Sequence, residues 1–210
     1  MLRNPIDMAY SLHAQLLWNG DENVRSFEEA WDLQDIRLRG DRVPRLSKIP
    51  QWLQYRNVCS LGEQVERLFE QVSREQVLII THDELAESAQ AVYEKTVDFL
   101  GLPAHRRQDF EVVNAGKTPR SPLMAAMIEK ACLAKERFEL ATGIRTRMGM
   151  LQSIATLNTR QQRRPPLSTH MRAKLAVAFA GDLEKLSKLI GRDVSGWIPS
   201  ESVGEIREMC

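Results

Sequence analysis

Two short segments gather the residue types that hold an anion. The first is Arg3-Asn4-Pro5-Ile6-Asp7-Met8-Ala9-Tyr10-Ser11. Asn4 suits a helix N-cap and Pro5 the first helical position, so a helix begins here. A helix start turns unpaired N–H groups and a positive dipole outward, which favours phosphate or carboxylate. Arg3, just ahead of it, adds a forked guanidinium that matches phosphate geometry. Ser11 lies two helical turns beyond Asn4 and so on nearly the same face, where its hydroxyl and Arg3 can meet one phosphate. An ordinary capped helix with an exposed serine fits the same residues, and both readings stay open. The second segment is Asn114-Ala115-Gly116-Lys117-Thr118-Pro119-Arg120-Ser121. Gly116 permits close backbone approach, and Lys117 and Arg120 can pair with phosphate. Its spacing is not that of a Walker A loop, and no strand immediately precedes it. A solvated basic loop explains it equally well.

Other reactive types are isolated. His13 and His82 each stand alone, and a lone histidine is more often structural than catalytic. Asp83 and Glu84 read as acidic helix starters. The arginines at 145, 147, 160, 163 and 164 read as a solvated face. Cys59, Cys132 and Cys210 are odd in number and far apart, with no CxxC, which argues against a zinc site or a disulfide framework. Free thiols in a reducing cytoplasm are the expectation, with no metal. With 29 Lys and Arg against 28 Asp and Glu the net charge is +1, so no global pull on nucleic acid is expected. No apolar run approaches a membrane span, and Met1 to Pro5 does not read as a signal peptide. A 43% hydrophobic share over 210 residues suits one globular domain.

The elements that position these groups are mainly helical. Ile6, Ala9, Tyr10, His13, Leu16 and Leu17 repeat at helical spacing until Gly20. Ser26 with Glu29 forms a capping-box pattern for a helix to about Leu38, ended by Gly40. Residues 40–57 look irregular. A helix from Ser60 carries Leu61, Val65, Leu68, Phe69 and Val72 on one face, and another spans about Ser88 to Leu100. Residues 111–122 read as a loop, followed by helices to about Thr142 and over 145–157 and by a basic linker, 160–166. A last long helix starts at Ser168 or Thr169 with Met171, Leu175, Phe179, Leu183, Leu186 and Ile190 inward, and Trp197 packs the tail back. Val77-Leu78-Ile79-Ile80-Thr81 is the one strong strand signal, and a buried strand of this composition expects parallel neighbours.

Taken in order, these pieces resemble the PAPS-dependent sulfotransferase family, where PAPS is 3′-phosphoadenosine 5′-phosphosulfate. Leu2 to Ser11 is similar to the family's 3′-phosphate-binding segment, in which an arginine and a serine eight positions later hold the phosphate; Arg3 and Ser11 have that spacing. The likeness continues through Ser26-Phe27-Glu28-Glu29-Ala30, Gly62-Glu63-Gln64-Val65, Val77 to Leu85 and Asp98-Phe99-Leu100-Gly101-Leu102. Val113 to Ser121 looks like the family's later loop near the nucleotide. Leu167 to Trp197 resembles its terminal helix with the Gly191-Arg192-Asp193…Trp197 finish. The resemblance implies an α/β fold, a P-loop-like parallel sheet flanked by helices. This chain would contribute mainly α structure with one or two short strands. It implies sulfuryl transfer from PAPS to a hydroxyl or amine of a small-molecule or glycan acceptor. Arg3, Ser11, Gly116, Lys117 and Arg120 are the implied cofactor-binding residues.

The family's phosphosulfate-binding loop and its usual base precede the Arg…Ser segment, and nothing in this sequence corresponds to them. The expectation is therefore a single domain over 1–198 lacking its N-terminal strand, loop and helix, with a tail over 199–210. The chain is expected to have little activity alone and to be complemented by an N-terminal segment. The catalytic residue is unknown and expected upstream of Met1. The alternative is a non-catalytic helical scaffold or interaction module derived from this fold. A nucleic-acid binder through residues 145–164 ranks last because the charges balance.

Overall fold

The computed structural model describes residues 1–45, 47–103 and 164–198, with 110, 117–119, 159–161 and the helical positions 124, 127, 128, 130, 131, 134 and 142. The chain divides into two compact units, Met1–Glu111 with Leu167–Cys210, and Val112–Pro166.

In the first unit, α1 spans Pro5–Asn19. It starts there because Asn4 Oδ1 accepts the Ile6 N–H at 2.9 Å, and it stops at Gly20, whose φ of 76° is the left-handed turn that glycine adopts without strain. The helix expected from Ser26 to Leu38 is two short ones, α2 at Phe27–Asp32 and α3 at Gln34–Leu38. Ser26 Oγ accepts the Glu29 N–H, which is half of the expected capping box. Residues 40–57 are more ordered than their prolines suggest. A 3₁₀ turn runs from Pro50 to Leu53, where proline takes the first position and costs no hydrogen bond, and α4 follows at Tyr55–Cys59. Then come α5 (Leu61–Gln71), α6 (His82–Glu87) and α7 (Ala89–Phe99). The 22-residue α8 spans Thr169–Ile190, capped by Ser168 Oγ on the Met171 N–H and ended by Gly191.

α8 is the spine of this unit. Its first half buries Met171, Leu175, Ala176 and Phe179 against Ile6, Ala9 and Leu16 of α1, Trp31 of α2 and Tyr55 of α4. Its second half buries Leu183 and Leu186 against Leu2, Leu61, Val65 and Val194. Ile190, the last of the expected inward residues, is half-buried against this second cluster. The 3.6-residue period sends both stretches inward and leaves Val177, Glu184 and Lys188 outward.

The strand expectation needs correction. Val77 to Ile80 are half-buried and form no ladder. Thr81 alone pairs, in a parallel bridge with Leu2: the Leu2 N–H donates to the Ile80 carbonyl at 2.7 Å and the His82 N–H to the Leu2 carbonyl at 2.7 Å. The bridge is one residue long because the chain leaves the extended conformation at Asn4 and enters α1. No parallel sheet is present among the described residues; their strand pairs are this bridge and a short antiparallel pair in the second unit, β1 (Lys117–Pro119) with β2 (Thr159–Gln161). β1 lies within the expected loop 111–122, and β2 overlaps the start of the expected linker 160–166. Within the helix expected over 121–142 the described positions 124, 127, 128, 130, 131, 134 and 142 are helical, and the helix expected over 145–157 lies outside the described residues.

Candidate functional site

The entry to α1 is clamped on both sides of Arg3. Leu2 is 7% exposed and is held through its own N–H and C=O by Ile80 and His82. Asn4 uses its whole side-chain amide: Oδ1 caps Ile6, and Nδ2 donates to the Trp197 carbonyl at 2.7 Å. The Arg3 backbone is therefore fixed from both neighbours, and its guanidinium, on a half-exposed side chain, makes no hydrogen bond or ion pair with a described residue. Ser11 is exposed on the outer part of α1 and is likewise without a partner among the described residues.

The helix start has the ordinary capped form. Its backbone donors are mostly spent: Pro5 has none, the Ile6 N–H goes to Asn4 Oδ1, and the Met8 N–H goes to the Asn4 carbonyl. Within the first turn the Asp7 N–H is left, beside the Asp7 carboxylate, which Arg172 faces at 3.7 Å. The backbone at this entry therefore has little left to offer an anion. Of the other nucleotide-contact candidates, Lys117 opens β1 in the second unit, and Gly116 and Arg120 lie outside the described residues.

Three ties fix the segment after α8 against this entry. Trp197 Nε1 donates to Asp83 Oδ2 at 2.7 Å, Arg192 Nη1 to Glu84 Oε1 at 3.0 Å, and the Trp197 carbonyl receives Asn4. Glu84 also completes a capping box with Thr81, taking the Thr81 N–H at 2.7 Å. That backbone bond, with Lys95 and Arg192 nearby, outweighs its partial burial and lowers its carboxyl to about 2. Asp83 and Glu84 are thus helix starters, as their position suggested, and also anchors for the tail.

Sequence reasoning missed a buried polar network. Arg37 Nη1 and Nη2 form a two-pronged pair with the Glu22 carboxylate at 2.6 and 2.7 Å, and the Tyr55 hydroxyl donates to Glu22 Oε2 at 2.7 Å. Burial alone would raise the Glu22 carboxyl, but Arg37, the Val24 N–H and Tyr55 together hold it below its usual value. Burial, with Glu22 adjoining, pushes the Tyr55 phenol upward. The signal was available: Arg37 continues the Ala30, Leu33, Gln34 stripe at core spacing, and an arginine there must be paired. His13 is fully buried, with Nε2 2.9 Å from the Val24 carbonyl, so it belongs to this framework.

Burial pushes the Cys59 thiol up to about 12, far from a reactive thiolate. Among the described residues no three His, Cys, Asp or Glu side chains gather as a metal site, and no helix is long and apolar enough to cross a membrane. A groove of about 550 Å³ runs between α8 and the 193–198 segment, lined by Ala180, Leu183, Ser187, Lys188, Gly196 and Ile198. It is mainly apolar, and neither Arg3 nor Ser11 lines it.

No protein-family model and no curated protein matches the sequence. Among solved structures, the chain is similar to a sulfotransferase from Alicyclobacillus acidocaldarius, with 23% sequence identity and a TM-score of 0.59. The match covers 94% of this chain and 55% of that chain, so this chain spans about half of its neighbour's length. The likeness is one of fold, and it extends over nearly the whole sequence: the chain has a sulfotransferase-like fold.

Proposed function

We propose that this chain serves sulfuryl transfer from PAPS to a hydroxyl or amine acceptor, and that Arg3 and Ser11 hold the 3′-phosphate of the nucleotide. The observation that carries the reading is a guanidinium left without a partner at a backbone fixed from both sides, with an equally unpartnered hydroxyl two turns along α1. A free forked cation and a hydroxyl donor suit a dianionic phosphate monoester. When bound, PAPS supplies the sulfuryl group; Arg3 and Ser11 bind and orient the far end of the donor and touch no reacting atom. Gly116, Lys117 and Arg120 belong to the same proposal as a second contact. So do a small-molecule or glycan acceptor, a cytoplasmic setting and low turnover by this chain alone.

Calorimetric titration with adenosine 3′,5′-bisphosphate tests the reading. Saturable binding is expected, weakened about tenfold or more in Arg3→Ala, because a charge-assisted hydrogen bond contributes roughly 1.5–3 kcal/mol, and less in Ser11→Ala. Unchanged affinity in Arg3→Ala overturns the assignment.

A second reading is a scaffold that binds another chain, here an N-terminal segment that completes the domain. It is favoured by the half-buried Val77–Ile80 run, whose pairing stops at the Leu2 bridge. A cooperative melt without nucleotide binding supports it.

A further inference from the structure

The segment from Arg192 to Ile198 does more than close the core. Its Trp197 carbonyl takes the Asn4 amide, and the same amide's oxygen caps α1, so one side chain reports the position of the strap to the start of the helix. The strap is itself located by α6: the Trp197 indole donates to Asp83, and the Arg192 guanidinium to Glu84. Internal turns stiffen it, with the Trp197 N–H on the Val194 carbonyl at 3.1 Å and the Ile198 N–H on the Ser195 carbonyl at 2.9 Å. The Val194 N–H is held by Ser187 Oγ of α8 at 3.2 Å. α6 begins directly after Thr81, whose bridge to Leu2 fixes the other side of Arg3. A closed loop of contacts results: Leu2 to Thr81, Asp83 to Trp197, Trp197 to Asn4, with Arg3 the residue between its two ends.

We infer that Trp197 and Asp83 are positioning residues for 3′-phosphate recognition: they fix Asn4, and through it the direction in which Arg3 leaves the chain. The inference rests on the proposed reading of Arg3. Pre-setting a long arginine lowers the ordering cost of binding, so loosening the loop weakens the phosphate contact without removing any group that touches phosphate.

The readout is the preference for adenosine 3′,5′-bisphosphate over adenosine 5′-monophosphate, measured by titrating both. A purely structural role would weaken both nucleotides alike or only lower the melting temperature, whereas a positioning role lowers the ratio. Trp197→Phe keeps the ring and the carbonyl but loses the indole donor. Asp83→Ala loses the acceptor, and Asp83→Asn restores one. Asn4→Ser keeps an oxygen to cap α1 but cannot reach the Trp197 carbonyl. The preference is expected to fall about three- to tenfold in Trp197→Phe, Asp83→Ala and Asn4→Ser, the worth of one hydrogen bond, and to stay near that of the unaltered chain in Asp83→Asn. Arg3→Ala separates the two levels. If the unaltered chain shows no preference, or Arg3→Ala keeps it, the phosphate site falls and this inference with it. If Arg3→Ala abolishes the preference while Trp197→Phe and Asp83→Ala keep it, or weaken both nucleotides equally, the site stands and the positioning role is overturned.

Discussion

Glu22 is a carboxylate wholly removed from water, and five donors make that tolerable: both prongs of Arg37, the Tyr55 hydroxyl and the Asn23 and Val24 N–H groups. Such a pair adds little net stability over a well-packed apolar substitute, but removing one partner strands the other charge. Arg37→Leu is therefore expected to cost about 3–5 kcal/mol, a fall in melting temperature of roughly 6–20 °C for a chain of this size. Tyr55→Phe removes one hydrogen bond to a charge and is expected to cost less, about 1.5–3 kcal/mol. Thermal melts check both, and a shift below a couple of degrees in Arg37→Leu would show that Glu22 finds water or another partner. This network was half legible. Arg37 stood on a core stripe, but its partner Glu22 lies in the turn after α1, fifteen residues away. A partner's identity across a turn is a property of packing that no periodicity records.

At the scale of elements, the most demanding contact is where α5 meets α8. Ser60 precedes α5 but does not cap it; its hydroxyl donates backward to the Arg56 carbonyl. The cap comes instead from Asp182 of α8, whose carboxylate accepts the Gly62 N–H at 2.8 Å and the Glu63 N–H at 3.0 Å. The helices approach so closely there that a Cβ on Gly62 would sit 2.8 Å from Asp182 Oδ1 and nearer still to its carbonyl oxygen. Gly62→Ala is expected to push the helices apart at about 1–3 kcal/mol, and Asp182→Ala to cost about 1 kcal/mol as a lost cap. Urea unfolding checks both; a Gly62→Ala as stable as the unaltered chain would mean that α8 yields easily. The limits of α1 and α8 were readable because Asn4, Gly20, Ser168 and Gly191 satisfy orphan helix-end groups from local sequence alone. The α5 cap was not readable, since its acceptor lies 120 residues on. The 77–81 run misled for a related reason: β-branched composition states that a segment suits a sheet, while ladder length depends on the partner, and Leu2 offers one extended residue.

Across the first unit as a whole, charge ties distant parts of the chain at Glu84, where the end of the bridge, α7 and the segment after α8 converge through Thr81, Lys95 and Arg192. Its folded carboxyl lies at about 2, below the ordinary value of 4.5, so folding favours the ionised form. A carboxyl lowered on folding contributes stability that is complete above its unfolded value and is lost as pH falls from there through the folded value. The window is thus about pH 4.5 down to about 2. Other carboxylates titrate there too, since the chain carries 28 of them against 29 Lys and Arg, and a growing positive charge loosens the whole fold. A difference between two chains isolates the one group. Glu84→Gln keeps an oxygen for the Thr81 N–H but loses the charge that faces Lys95 and Arg192. Its melting temperature is expected to lie below that of the unaltered chain at pH 7, and the gap is expected to narrow steadily as pH falls from 4.5 to 3. A gap that stays constant over that range would show that Glu84 acts through its shape and hydrogen bonds alone. The tie between the strap and α6 would then rest on the Trp197–Asp83 bond, the contact through which Arg3 is proposed to be set.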